Sequence, residues 1–294
     1  MQKYSVFNLI KNALSNHENW DLAWKDPTPK KEYDVVIIGG GGHGLATAYY
    51  LAKEHNITNV AIIEKGWIGG GNVGRNTTII RSNYMHDDNA LFSEFGMNLW
   101  RRMSQDLNYN VMFSPRGIIN LAHSDAQMNA YARRGNSMRL NGIDAVLLNR
   151  EQVKEIIPMA DFSENVRFPI FGGLMQPSAG TARHDAVAWG YARQADSMGV
   201  DIIQNCEVTG FDVSNGKIKG VRTSRGDIKV KKIGLCVAGS TNILAEKLNM
   251  KLPIETHLLQ ACVSEPVKPV LDRVVTFGAG HFYISQSDKG EMVM

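Results

Sequence analysis

One short stretch of this 294-residue chain has residues spaced for a definite chemistry. Gly39, Gly41 and Gly44 occupy the fixed places of a G-x-G-x-x-G pattern within Gly39-Gly40-Gly41-Gly42-His43-Gly44. Glu64 follows about twenty residues after the last glycine, the distance at which a carboxylate takes the ribose hydroxyls of an adenine nucleotide. The chemistry is that of a dinucleotide grip. The first glycine makes a tight turn, the second admits a pyrophosphate to the backbone, and the third lets a helix press on its strand. A carboxylate at position 64 repels a 2′-phosphate, which argues against NADP.

These residues need elements to hold them. Asp34–Ile38 is an apolar, β-branched run that reads as a buried parallel strand. Leu45–His55 reads as a helix whose first N–H groups face the phosphates, and Val60–Ile63 as the second strand. Glycines are dense again through Gly66-Trp67-Ile68-Gly69-Gly70-Gly71-Asn72-Val73-Gly74-Arg75-Asn76-Thr77-Thr78-Ile79-Ile80-Arg81, where a nicotinamide dehydrogenase would continue as a plain βαβ unit. So flexible a segment hugs a flat ligand or turns backbone amides toward one.

The rest of the chain is expected to build two lobes. An amphipathic helix over residues 1–20 carries Val6, Leu9, Ile10 and Leu14, and Trp20 and Trp24 lead on to a linker, Asp26–Lys31. Leu91, Phe95, Leu99 and Met103 recur at helical spacing in a helix Asp88–Leu107 and read as core. Strands at Gly117–Ala122 and Val146–Leu148 flank a helix Asp125–Asn141, and Thr181-Ala182-Arg183-His184-Asp185 opens a helix reaching Met198. Val208–Val230 reads as a β-meander. Ile233–Ala238 reads as a separate strand entering the small-residue turn at Gly239. The expected class is α/β: a discontinuous Rossmann-like nucleotide domain (33–115 and 177–256), a second, mixed-sheet substrate domain (116–176 and 257–294), and an N-terminal arm (1–32). The chain stops at Met294 inside an apparent strand, so this second domain reads as incomplete.

Composition closes off other classes. A formal charge of +3 is spread without a basic block, giving no support for nucleic-acid binding. No apolar run is long enough for a membrane helix, and the N-terminus lacks the plan of a signal peptide. Cys206, Cys236 and Cys262 are odd in number and widely spaced, which fits reduced cytoplasmic thiols and neither zinc nor disulfides. No metal site is expected. Among the histidines, His86, His123, His257 and His281 show no ligand spacing, and His43 lies in the glycine loop, where side-chain identity is loosely constrained.

The combination resembles the FAD-dependent amine oxidoreductases of the D-amino-acid oxidase superfamily. Within it, the nearest likeness is to the β subunits of heterotetrameric sarcosine oxidases. The likeness covers nearly the whole chain and rests on PKKEYDVVIIGGGGHGLATAYYLAKEH, EKGWIGGGNVGRNTTIIRSNY, RHDAVAWGYARQADSMGVDIIQNCEVTGF and the tail THLLQACVSEP…YISQSDKGEMVM. The first block indicates only the superfamily; the second and third are specific.

The resemblance implies noncovalent FAD held by Gly39, Gly41, Gly42, Gly44, Glu64 and Lys65. Gly71, Asn72, Arg75, Asn76, Thr77, Val208 and Gly239 complete the expected cofactor-binding set, with Arg75 and Asn76 polarising the N1–C2=O edge. It also implies a second flavin, FMN, bonded covalently to a histidine matched by His184. A chain with one dinucleotide fingerprint must hold a second flavin by other means, and a covalent imidazole link does so. Without the resemblance, His184 reads as an ordinary first-turn helix residue. Arg81 aligns with an arginine that grips the substrate carboxylate in related oxidases; otherwise it reads as a structural cap of the helix at Asp88. His257 is retained as a catalytic-site residue on a strand approaching the flavin. Thr78 stands where the monomeric relatives carry a catalytic arginine, so their active-site detail does not transfer.

The implied activity is oxidation of sarcosine to glycine and formaldehyde, or to a one-carbon unit on tetrahydrofolate held by a partner subunit. Electrons pass from FAD to FMN and then to O₂, giving hydrogen peroxide, in a complex with α, γ and δ subunits. Family members continue beyond this endpoint with a further glycine-rich segment and a lysine beside the flavin. Three other readings stay open. A single-flavin enzyme for a D-amino acid or dimethylglycine would release all its flavin on denaturation. An NAD dehydrogenase would bind nicotinamide and no flavin. A non-catalytic flavin-binding subunit would hold flavin that amines cannot bleach.

Overall fold

The computed structural model describes residues 5–18, 20, 22–163, 165–280 and 282–294, so His281 lies outside the described residues. The chain divides into two compact units, residues 1–67 with 192–237 and residues 68–191 with 238–294. The elements run in order as α1 (Val6–Leu14), β1 (Glu32–Ile38), α2 (Gly42–His55), β2 (Val60–Ile63), β3 (Ile79–Ile80), α3 (Asp87–Asp106), β4 (Ile118–Ala122), α4 (Asp125–Leu140), β5 (Val146–Asn149) and α5 (Arg150–Ile156). They continue as β6 (Gly172–Gln176), β7 (Gly180–Thr181), α6 (His184–Ser197), β8 (Asp201–Ile203), β9 (Val208–Ser214), β10 (Lys217–Thr223) and β11 (Gly226–Leu235). The last are α7 (Thr241–Glu246), β12 (Val263–Pro266), β13 (Val274–Phe277), β14 (Phe282–Gln286) and β15 (Glu291–Val293).

The first unit is built on a six-stranded sheet in the order β8-β2-β1-β11-β10-β9. Its β8, β2, β1 and β11 are parallel, and β10 and β9 close one side antiparallel. Val36, Ile37 and all four residues of β2 are buried, as the continuous apolar runs require of central parallel strands. Tyr33 closes the lower end of this core. Its hydroxyl donates to Asp201 Oδ2 at 2.8 Å and accepts from the Lys30 N–H at 3.0 Å.

The expected meander strand and the separate strand Ile233–Ala238 are one element. β11 runs unbroken for ten residues, pairing with β10 through Gly226–Lys229 and with β1 through Lys229–Leu235. The Lys231-Lys232 pair, which looks like a polar interruption, keeps its place because Lys231 is exposed and bonds Asp34 on β1 at 2.6 Å.

The second unit holds a seven-stranded sheet, β12-β15-β14-β13-β4-β6-β5, and a two-stranded ribbon of β3 with β7. Only β13 with β4 is parallel. Residues 68–115, 177–191 and 238–256, expected with the nucleotide domain, group with this unit; Ala90 of α3 packs in a cluster with Met138, Ile143 and Leu174. The expected core face of α3 is met only toward its C-terminal end, where Met103 is buried and Leu99 half-buried. Leu91 and Phe95 are 53 % and 65 % exposed, as is Phe92 at 80 %, while Ala90, Met97 and Met103 are buried.

The segment around His257 forms no strand. Residues 255–262 lie outside every ladder and are all exposed, with Leu258 99 % accessible. Only at Cys262, which exchanges main-chain bonds with Met294 at 2.8 and 2.9 Å, does this segment meet paired backbone among the described residues. No helix of the described residues is long and apolar enough to cross a membrane.

Candidate functional site

The dinucleotide grip of the first unit is assembled from β1, the glycine turn, α2 and β2. Gly39 takes φ +108°, and a side chain there would meet the Cys236 carbonyl at 2.3 Å. At Gly44 a methyl group would sit 2.0 Å from the Gly39 carbonyl oxygen, so helix and strand are as close as the fingerprint requires. Gly41 is the N-cap of α2, and no side chain caps that end. The first-turn N–H groups are thus left facing an anion, with the helix dipole adding positive potential.

Glu64 is placed by the end of β2. One carboxylate oxygen accepts from the Gly40 N–H and the other from the Gly66 N–H, both at 2.8 Å. A carboxylate has about four acceptor positions, so the bonds that fix the loop leave capacity for ribose hydroxyls. Cys206 donates its N–H to the Glu64 carbonyl at 2.9 Å, bringing the start of β9, with buried Val208, to the same end of the sheet. Lys65 is exposed beside it. A bare helix N-terminus, glycines that tolerate no side chain and a carboxylate with spare acceptors fit the pyrophosphate and adenosine ribose of FAD.

In the second unit, the glycine-rich segment forms a 3-10 turn, Asn72–Arg75, with Gly71 as its N-cap. The side chain of Asn76 is committed to this turn. Its amide donates to the Val73 carbonyl at 2.7 Å and its Oδ1 accepts from the Thr78 N–H at 2.7 Å. Thr77 bonds Tyr283 at 2.8 Å. Arg75 is exposed.

This turn lines a cleft of about 900 Å³ that also contains His184. Arg75, Asn76, Thr77 and His184, expected at the cofactors, are therefore brought together. His184 is the first residue of α6. The start of that helix is tied down by Ala182 N–H to the Thr78 carbonyl, 3.2 Å, and Arg183 N–H to the Val111 carbonyl, 3.0 Å. Arg183 reaches Asp185 through two bonds, 3.0 and 3.2 Å, and Asp288 at 3.1 Å. Burial alone would raise the Asp185 carboxyl; the Arg183 bond, the Ala186 N–H and the charges of Arg183 and His184 outweigh it and hold the group below the usual carboxylate range. Arg116 lines the same cleft and donates to the Gln286 carbonyl at 2.9 Å. The sequence blocks contain Arg183, Asp185 and Asp288, but nothing in the sequence signals that Asp288, 105 residues after Arg183, joins the other two.

Five expected site residues of this unit lie apart from the cleft's lining: Gly71 and Asn72, at the start of the 3-10 turn, and Arg81, Gly239 and His257. Arg81 donates to Asn83 Oδ1 at 2.6 Å and stacks 4.5 Å from the centroid of Tyr84. It does not cap α3, whose N-cap is His86 without a side-chain bond. Gly239 lies in a 3-10 turn and lines a smaller cleft of about 420 Å³ with Asn242, Glu255 and Thr256. His257 is exposed on its irregular segment and is not itself in the cleft's lining, although the next residues, Leu258–Ala261, are.

Residues 34–294 match the family model described as FAD dependent oxidoreductase. The chain is 61 % identical over 291 residues to sarcosine oxidase subunit beta of Rhizobium meliloti, covering 99 % of this chain and 70 % of that protein. It is 52 % identical to the subunit of the same name from Rhodobacter capsulatus, covering all of this chain and 71 % of the relative. The chain belongs to the FAD-dependent oxidoreductase family, among the sarcosine oxidase beta subunits. Among solved structures of the family fold, L-proline dehydrogenase from P. horikoshii superposes with a TM-score of 0.81 at 27 % identity, over 90 % of this chain and 70 % of that one. Glycine oxidase from Bacillus cereus shares the fold, with a TM-score of 0.73 at 21 % identity.

Proposed function

We propose that this chain is the flavin-bearing subunit of a hetero-oligomeric sarcosine oxidase that works in the cytoplasm with α, γ and δ partners. In this reading it carries noncovalent FAD and a covalent FMN on His184. FAD, when bound, supplies two-electron oxidation of the N-methyl C–N bond of sarcosine; FMN relays the electrons onward to O₂.

The chain's own residues have separable tasks. Gly39, Gly41, Gly42 and Gly44 let the pyrophosphate approach the first turn of α2. Glu64 accepts from the ribose hydroxyls, with Lys65 and Val208 at the edge of the same site. Arg75 supplies positive charge beside the flavin, while Asn76 and Thr77 hold its loop in shape and Gly71 and Asn72 open it. Arg81 holds the substrate carboxylate through its planar fork; such charge-assisted bonds contribute about 1.5–3 kcal/mol. The ion cluster of Arg183, Asp185 and Asp288 fixes the start of α6 and so the position of His184. One-carbon transfer to tetrahydrofolate belongs to a partner subunit.

The observation that carries the reading is the cleft that joins His184 to the Arg75–Thr77 turn, in a chain more than half identical to sarcosine oxidase beta subunits. The test is to coexpress the chain with its partner subunits, precipitate with acid and separate the flavins. FMN retained in the pellet and found by mass spectrometry on the His184 peptide, with FAD in the supernatant, is the expected result. His184→Ala should leave the FAD and abolish the pellet flavin. All flavin in the supernatant as FAD would sink the covalent assignment and favour a single-flavin amine dehydrogenase.

A further inference from the structure

Two guanidinium groups of the second unit converge on Asn83. Arg81 Nη1 donates to its side-chain oxygen at 2.6 Å, and Arg134 Nη2, from α4, donates to its main-chain carbonyl. Asn83 is fully buried and cannot swing away, because its amide donates to Asn120 Oδ1 at 2.7 Å and Asn120 donates to Thr276 Oγ1 at 2.5 Å. The Arg81 side chain is further fixed by stacking on Tyr84.

Several arginines of the chain meet carboxylates, while among the described residues Arg116, Arg139 and Arg150, like these two, bond only neutral oxygens; Arg81 and Arg134 differ from those three in facing each other across one residue. Arg101 meets Glu94, Arg183 meets Asp185 and Asp288, Arg222 meets Asp212, and Arg225 meets Asp26. Among the described residues, neither Arg81 nor Arg134 has a carboxylate partner, and Arg134 Nε is buried with no hydrogen-bond acceptor at all. An unpaired charge removed from water is costly, and a second like charge beside it adds to the cost. Burial, followed by the Arg81 charge, lowers the Arg134 pKa. An anion held by both forks would offset both penalties.

We propose that Arg81 and Arg134 together form a two-guanidinium receptor for a small carboxylate, the carboxylate of the amino-acid substrate. The proposal rests on the reading of Arg81 as the carboxylate anchor and adds a second cation, unseen in the sequence, that shares the ion. Planar forks suit the two oxygens of a carboxylate, and the Asn83–Asn120–Thr276 chain, anchored on buried Asn83, sets one of the forks before the ligand arrives.

The test uses the hetero-oligomer assembled with its partner subunits, with acetate as a probe that has the carboxylate but no amine. Arg134→Gln should raise both the KM for sarcosine and the inhibition constant of acetate by roughly ten- to a hundredfold, with kcat changed by less than about threefold. Arg134→Lys keeps the charge without the fork and should lie between Gln and wild type. Arg81→Gln serves as the reference. If it weakens acetate while both Arg134 variants bind acetate as wild type does, the receptor idea falls and the Arg81 anchor stands. If acetate binding is unchanged in all three, the anchor falls and takes the receptor with it. A merely structural Arg134 would lower the melting temperature and leave the acetate constant alone, which also overturns the proposal.

Discussion

At the scale of single residues, the nucleotide grip is governed by what is missing. Gly44→Ala would put a methyl group 2.0 Å from the Gly39 carbonyl oxygen, inside any allowed contact, and the backbone must move to relieve it. Overpacking of this kind costs about 1–3 kcal/mol, and it displaces the first turn of α2 as well. The expected outcome in urea denaturation is a lower midpoint by that amount, together with a loss of FAD retained on gel filtration. A wild-type midpoint would show that the strand and helix are not in the tight contact described. Glu64 illustrates what spacing alone can and cannot say. Its position after the glycines is legible because the βαβ repeat has a fixed length; its bonds to the Gly40 and Gly66 N–H groups are not, since they depend on where the loop turns back.

At the scale of elements, periodicity reports which side chains share a face and stays silent on which face is inward. α3 is the clear case. Leu91 and Phe95 do lie together, as their spacing requires, but on the open side, while the narrower stripe of Ala90, Met97 and Met103 meets the core. Met97→Ala should therefore cost about 2–5 kcal/mol and Phe95→Ser less than about 0.5 kcal/mol in chemical denaturation. The reverse order would mean that the apolar stripe, and not the observed one, is buried. β11 was hidden for a different reason: two adjacent lysines look like a turn in sequence, yet a strand in a two-sided sheet can keep them if each finds solvent or an acidic neighbour such as Asp34. The apolar runs of β1 and β2 were legible because burial on both faces leaves no other residue types in them. The strand expected at His257 does not form, because alternation of residue types without a neighbouring strand gives its backbone nothing to pair with.

At the scale of the whole molecule, the ties that matter are those between distant parts of the sequence. Tyr33 joins the entry to β1 with Asp201, 168 residues on, in a part-buried bond. Burial first, and then the Asp201 bond, push its phenol well above the ordinary value of 10.0. A proton held more tightly by the folded state stabilises it below the unfolded value, and the benefit is lost as pH climbs toward the folded one. Tyr33→Phe should thus be less stable than wild type by about 1–3 kcal/mol at neutral pH, and the gap should narrow above about pH 10. A constant gap measured by denaturation from pH 7 to 11 would contradict the protonation argument. The same long reach has a consequence for biosynthesis. β1 lies between β2 and β11, and the bond of Asp34 to Lys231 spans 197 residues. At about 5–20 residues per second, the ribosome needs roughly 10–40 seconds to deliver β11 after β1 has emerged. Through that interval one edge of this central, largely apolar strand is open while residues 68–191 take shape in between, so nascent chains are most exposed to edge-to-edge aggregation in that window.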